Sequence, residues 1–600
     1  MQTSGNIADR LAAFRKELAA RGYDGFVVPR ADAHQSEVTA ARDDCLAFIS
    51  GFTGSAGLAL IMAESALIFV DGRYDIQVRQ QVDPALYQIH HLHNAPIDRW
   101  MREQATSGMR IAFDPMLVNG ALHDRMADAM VSAGGALVPC NEDLFDAIWA
   151  DRPAAPLGAV RAMPVDVSGE SVADKTRRAG EAIRQAGAVA LAETSPDNIA
   201  WLLNLRGGDV PMNPVPHSFL LLDADGTVEW FVDRRKLGND LSGFELQQVK
   251  LSPASDFLKR LGEVAKRGAV LTDPQFAPVS VRLAVEADGG ATIYKTSPLT
   301  LLKAVKNETE LVGYRRCHVE DGAALTDFLA WVQREGRLRE ASGRPLTELE
   351  AEAKLLAFRA TRKGFLEASF RSISASGVNA ALCHYNAAEA TDAVIDSRLP
   401  YLIDSGGQYL DGTTDVTRTL FLGPAASEIR RTYTAVLKGF LSLIMVRMPV
   451  GTQGHQLDAF ARRPLWDLGL DYDHGTGHGV GHNLFVHEYP HRFAKLANPY
   501  GLEPGNIMTI EPGYYAEGRY GLRIENQVEV VADGAGFCRF ASLTLAPIDL
   551  SAADLTALTE GERAFLDAYH AHVREALMPL VAEETRAFLL EQTRSIAEIF

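Results

Sequence analysis

Apolar residues at Ile7, Leu11, Phe14 and Leu18 recur at helical spacing, and Gly22 stops the segment before the buried-strand run Phe26-Val27-Val28. Together they predict a helix over residues 8–21 and a strand behind it. Past Leu46–Gly54, the runs Leu58–Ile61 and Ala66–Val70 read as paired strands. The pattern then returns. Thr176–Gln185 predicts a helix, Gly187 its stop and Ala188–Ala192 a strand, while Phe219–Leu222 and Val228–Asp233 predict a second strand pair. Asn198–Gly207 echoes Leu46–Gly54, and Phe69-Val70-Asp71 matches Phe231-Val232-Asp233 at a shift of 162 residues. This is an internal duplication with diverged sequence, joined at the Pro-rich stretch Asp151–Pro156.

The character changes near Ser297-Pro298. Asn307-Glu-Thr-Glu310 and Thr347-Glu-Leu-Glu350 are capping boxes, each opening a helix. Glu428–Met445 predicts a long helix. Another starts near Gln453, with Pro464 inside it, where a lost amide is expected to break a hydrogen bond and bend it. Strands are expected to run to about Pro547, followed by a helical tail from Ser551 to Phe600 with Leu555, Leu558, Phe565, Leu566 and Tyr569 on one face. The domains this implies are 1–154, 155–300 as its diverged repeat, 301–547, and a tail, 548–600, that caps a sheet or forms a subunit contact.

The candidate chemistry sits in the third segment. Tyr401-Leu402-Ile403 and Val416–Leu422 read as strands around the turn residues Gly406-Gly407 and Asp411-Gly412. Asp404 ends the first strand and Asp415 opens the second, so a hairpin sets two carboxylates side by side. Unpartnered, they would repel until one took a proton; a metal ion removes the conflict. The glycine-rich run His474–Gly481 can bring His478 close, and Glu511 and Glu525 flank a second hairpin turning at Ala516–Gly521. Four carboxylates and one imidazole suit two divalent cations, and mostly oxygen donors favour manganese-like ions over a thiolate-type zinc site.

Composition narrows the setting. A formal charge of −18 argues against nucleic acid as the main partner, and 47% hydrophobic residues in 600 are ample for several cores. Five scattered cysteines, no apolar leader and no run long enough to cross a bilayer predict a soluble, cytoplasmic protein with reduced thiols.

The ordered motifs Asp-Ser-Gly-Gly…Asp-Gly-Thr-Thr-Asp, Gly-Thr-Gly-His-Gly-Val-Gly, Glu-Pro-Gly-Tyr-Tyr and Arg-Ile-Glu-Asn resemble the pita-bread (creatinase-fold) metallopeptidases. The duplicated front half looks like the long, three-domain aminopeptidase P form. The resemblance implies an α/β (α+β) chain with two creatinase/prolidase-type domains ahead of a pita-bread catalytic domain. It implies Asp404 and His478 on opposite metals, Glu511 as second-metal ligand and proton shuttle, and Asp415 and Glu525 bridging. His384 and His487 are expected to contact substrate and its oxyanion, and His474, Tyr515 and Arg523 to line a proline pocket. Arg73 resembles an arginine that reaches toward such a site. Two ions (Mn2+, with Zn2+ or Co2+ as alternatives), substrates beginning Xaa-Pro and a homodimer complete the expectation. The competing readings are a prolidase acting on dipeptides, a methionine aminopeptidase, which lacks such a front half, and a non-catalytic peptide-binding protein.

Overall fold

The computed structural model describes residues 6–239 and 241–599. They divide into two compact units: residues up to Val165 with Glu170–Leu302, and Asp166–Gly169 with Lys303 onward.

The first unit holds two six-stranded sheets of identical plan. In the first are β1 (Gly25–Pro29), β2 (Leu58–Met62), β3 (Ala66–Val70), β4 (Gln88–His91), β5 (Arg110–Phe113) and β6 (Ala136–Pro139), in the order β4-β3-β2-β1-β5-β6. The second, β7 (Ala190–Glu193), β8 (Phe219–Asp223), β9 (Val228–Phe231), β10 (Val249–Ser252), β11 (Val270–Thr272) and β12 (Thr292–Tyr294), runs β10-β9-β8-β7-β11-β12. Both pair their first three strands antiparallel and the rest parallel. Strand alternation sends Phe26 and Val28 to one core and Val27 to another on the opposite face. The helix α1 (Ile7–Arg21) covers the first core with Leu11, Phe14 and Leu18 and ends at Gly22 in the left-handed conformation. The duplication extends to single side chains. Asp71 accepts from the amide of Arg73 and Asp233 from that of Arg235, and each aspartate pairs with the guanidinium of the same arginine.

Both capping boxes form, on α2 (Glu308–Ala341) and α3 (Glu348–Arg359). The site is carried by three sheets. One is β13-β14-β15, made of Ile373–Ser376, Tyr401–Ser405 and Val416–Leu420. A six-stranded sheet contains β16 (Arg447–Pro449), β17 (Gly477–Gly479), β18 (Glu488–Phe493), β19 (Ile507–Ile510), β22 (Asn526–Ala532) and β23 (Phe537–Ser542), in the order β16-β23-β22-β19-β17-β18. The third is the hairpin of β20 (Gly513–Ala516) and β21 (Tyr520–Arg523). The helices α4 (Ser427–Ile444) and α5 (Gly454–Trp466) pack together over a core that includes Met508, Leu522 and Val528.

Two local expectations need correction. Gly407 is a strand residue, because Gly407–Tyr409 and Gly412–Thr413 pair as an inner ladder and the chain reverses at Leu410-Asp411. The helix containing Pro464 runs from Gly454 to Trp466, with the proline in its last turn. The tail is not helical from Ser551: Leu555 lies in a 3-10 turn, Leu558 follows it, and the helix α6 (Glu560–Leu577) starts only after Thr559, which forms a capping box with Glu562. Leu566 and Tyr569 of α6 do face the core. Phe600 lies outside the described residues.

Candidate metal centre

The hairpin of β14 and β15 pairs Asp404 with Thr417 and Ser405 with Val416, which leaves Asp415 at the mouth of the second strand beside Asp404. Glu525 follows β21, and its amide donates to the carbonyl of Thr417 at 3.1 Å, seating it against β15. One oxygen each from Asp404, Asp415 and Glu525 lie within 4.8 Å of one another, and atoms of His478, Glu511 and Glu525 do the same. Glu525 therefore belongs to both groups. His478 Nε2 stands 3.5 Å from Asp415 Oδ2 and 3.8 Å from Glu511 Oε1. All five candidate ligands meet in one place.

Glycine makes the approach possible. A Cβ on Gly477 would collide with the carbonyl of Thr509, whose hydroxyl receives the amide of His478 at 3.1 Å. The Nδ1–H of His478 donates to the carbonyl of Gly479 at 2.8 Å, so its Nε2 lone pair faces the carboxylates. Behind the loop, Thr476 donates to Asp458 at 2.5 Å, and Arg462 donates to Asp458 and to the carbonyl of His474.

Electrostatics favours a cation here. Burial raises the carboxyl of Asp415, with Asp404 adding to it, and raises Glu525 with the help of Asp415 and Glu511. Burial pushes Glu511 up to about 7, against the pull of His478 and Arg523. Asp404 Oδ1 is buried with no hydrogen-bond partner among the described residues. Four carboxylates, one imidazole lone pair and an orphaned oxygen fit divalent metal ions.

A wall of polar side chains borders the cage. Arg523, 1% exposed, donates to Asp404 Oδ2 at 2.6 Å, to Thr417 Oγ1 at 3.1 Å and to the hydroxyl of Tyr515. The Tyr515 O–H donates to His474 Nε2 at 2.9 Å, and His474 Nδ1–H donates to the carbonyl of Gly475 at 2.7 Å. His487 is exposed, its ring 4.3 Å from that of His478 and a ring nitrogen within 4.8 Å of ligand atoms of Asp415 and His478. His384 follows the 3-10 turn Gly377–Ala381, which lies against β21; Cys383 Sγ is 4.0 Å from Arg523 Nη1. Arg73 belongs to the first unit, where Asp71 and Glu37 pair with it at 2.8 and 3.3 Å.

Sequence reading missed the hydroxyls that orient these groups. Thr417 Oγ1 donates to Glu525 Oε2 at 2.7 Å and Thr419 Oγ1 to the carbonyl of Arg523 at 2.9 Å. The signal was present: Asp415, Thr417 and Thr419 alternate along one strand and so share a face.

This fold and cage define a pita-bread hydrolase centre of the metal-dependent kind. The chain belongs to metallopeptidase family M24, which matches residues 313–532, with its C-terminal region matching 536–596. The creatinase/prolidase N-terminal domain matches twice, at 10–148 and 151–310. Among relatives, a probable Xaa-Pro aminopeptidase P of Ajellomyces dermatitidis is 36% identical over 98% of this chain and 99% of its own. A probable Xaa-Pro aminopeptidase P of Coccidioides posadasii is 37% identical over 98% of this chain and 93% of its own. The crystal structure of X-prolyl aminopeptidase from Caenorhabditis elegans, described as a cytosolic enzyme with a di-nuclear active site, is 32% identical with a TM-score of 0.93. It spans 99% of this chain and 100% of that one.

Proposed function

We propose that this chain is an Xaa-Pro aminopeptidase, releasing the N-terminal residue from peptides with proline in second position. The observation that carries the reading is the convergence of Asp404, Asp415, His478, Glu511 and Glu525, with Glu525 common to two ligand groups. The names of the full-length relatives support the substrate class.

In this reading Asp404, Asp415 and Glu525 would hold one cation and Asp415, His478, Glu511 and Glu525 the other. When bound, two such ions lower the pKa of a shared water toward neutrality and polarise a carbonyl. Glu511 is the least buried of the four acids, its side chain 18% exposed, and passes a proton from water to the departing nitrogen. His487 and His384 hydrogen-bond the substrate and its developing oxyanion. His474, Tyr515 and Arg523 form the wall against which a proline ring, lacking an N–H and fixed in φ, is selected. Manganese as the working metal, a homodimer and a cytoplasmic location complete the proposal.

The test is metal-stripped protein assayed on an Arg-Pro-Pro peptide and an Xaa-Pro dipeptide, with Mn2+, Zn2+ and Co2+ restored singly. Release of arginine from the longer peptide, strongest with Mn2+, is the expected result. Turnover of the dipeptide alone would make the chain a prolidase, and turnover of neither would end the hydrolase reading.

A further inference from the structure

A second group of metal-type donors lies in the first unit, where the two sheet-bearing repeats meet. Asp32 follows β1, Asp43 ends the 3-10 turn Ala41–Asp43, and His217 sits two residues before β8 in the other repeat. Ligand atoms of all three lie within 4.8 Å of one another.

The arrangement is built rather than incidental. Asp32 is 1% exposed, and its Oδ1 accepts the amides of His34 and Ser36 at 2.9 and 3.0 Å. Its other oxygen, Oδ2, is buried and has no hydrogen-bond partner among the described residues; neither has His217 Nε2. These two atoms face each other at 3.5 Å, too long for a hydrogen bond. Two ligands about 2.1 Å from a tetrahedral zinc ion stand about 3.4 Å apart. His478 Nε2 and Asp415 Oδ2 in the catalytic unit show the same 3.5 Å separation.

The backbone of His217 is pinned on both sides. Its amide donates to Asp209 Oδ2 at 2.6 Å, and its carbonyl accepts from Lys236 Nζ at 2.9 Å. The ring lies 4.7 Å from that of His34, tilted 40° to it, and the Nδ1–H of His34 donates to the carbonyl of Thr194 at 3.0 Å. Asp32 Oδ2 and His217 Nε2 are both sealed from solvent and, among the described residues, lack a hydrogen-bond partner.

We infer that Asp32, Asp43 and His217 form a site for one divalent transition-metal ion, which fastens the two N-terminal repeats together. Three protein ligands leave a fourth position for water.

The experiment counts zinc in the full-length protein, stripped and then reloaded with Zn2+ and freed of excess by gel filtration. Wild type is expected to retain one more equivalent per chain than His217→Ala, whatever number the catalytic unit holds. The count is a difference, so it stands apart from whether the protein cleaves Xaa-Pro peptides. Equal counts overturn the inference. Crystals of the wild-type protein grown with Zn2+ decide the matter even if the variant fails to fold. An anomalous peak at the zinc edge bonded to His217 Nε2 and Asp32 Oδ2 supports the site, and its absence refutes it.

Discussion

Loading the metal-stripped protein with Mn2+ at pH 7 is expected to expel protons. In the cage without metal, burial and mutual repulsion raise Asp415 and Glu525 well above the ordinary carboxylate range, and Glu511 lies at about 7. At pH 7 Glu511 is thus about half protonated, and burial and mutual repulsion push the other two toward the protonated form. Ligation needs all three as carboxylates, so filling both positions releases protons. The sign follows: a raised carboxyl takes up its proton as pH falls through its folded value. Metal affinity therefore weakens as pH drops through about 7 toward the unfolded carboxyl range near 4.5, and strengthens as pH rises. Titration calorimetry in buffers of different ionisation enthalpy gives the proton count as a slope. A release below about half a proton at pH 7 would show that the acids are already ionised without metal, and the electrostatic reading of the cage would fail.

Glu511→Gln keeps an oxygen for the metal but no longer accepts a proton; turnover on an Xaa-Pro peptide is expected to fall by about 100-fold to 10,000-fold with the metal count largely kept. Unchanged turnover would remove Glu511 from proton transfer. Thr417→Val deletes the hydroxyl that orients Glu525 and meets Arg523, and is expected to weaken metal affinity by about 10-fold to 100-fold in a Mn2+ titration. An unaltered affinity would make Thr417 a packing residue.

The fold was legible where pattern is strong and local. The repeated helix-and-strand sequence, Gly22 and the two capping boxes each specify their element through neighbours in sequence, and the structure has them. The four acids and one histidine of the cage were legible because each lies in a motif of its own that must turn or approach closely, as Gly477 shows against Thr509. What escaped depends on pairing across the sheet. Thr417 matters because Asp404 is its strand partner and Glu525 arrives from more than a hundred residues away; its own sequence context is that of an ordinary strand threonine. The late start of α6 was readable from Thr559-Glu-Gly-Glu562, but the apolar period running through Leu555 and Leu558 hid it.

Arg418 shows why the tail belongs to the chemistry of the site. The guanidinium is 1% exposed and is solvated wholly by the protein. It donates to the carbonyls of Thr417 and Glu525 at 2.8 and 2.6 Å, to Asn526 Oδ1 at 2.8 Å, to the carbonyls of Ala546 and Pro547 at 2.9 Å, and to the hydroxyl of Tyr569 at 3.0 Å. One side chain thus joins the strand beside Asp415, the residue Glu525 and the helix α6. Lysine keeps the charge but has three donors on a single nitrogen, so it cannot span acceptors placed on both sides of a planar fork. Arg418→Lys leaves several buried acceptors unmet, at about 1–3 kcal/mol each, more than the docking of one helix can absorb. The expected outcome is a tail that detaches before the catalytic core unfolds, seen as new proteolytic cleavage in Ser551–Thr559, together with weaker metal retention. A variant as protease-resistant as wild type, with both metals held, would mean that the tail only covers the sheet and plays no part in holding Glu525 in place.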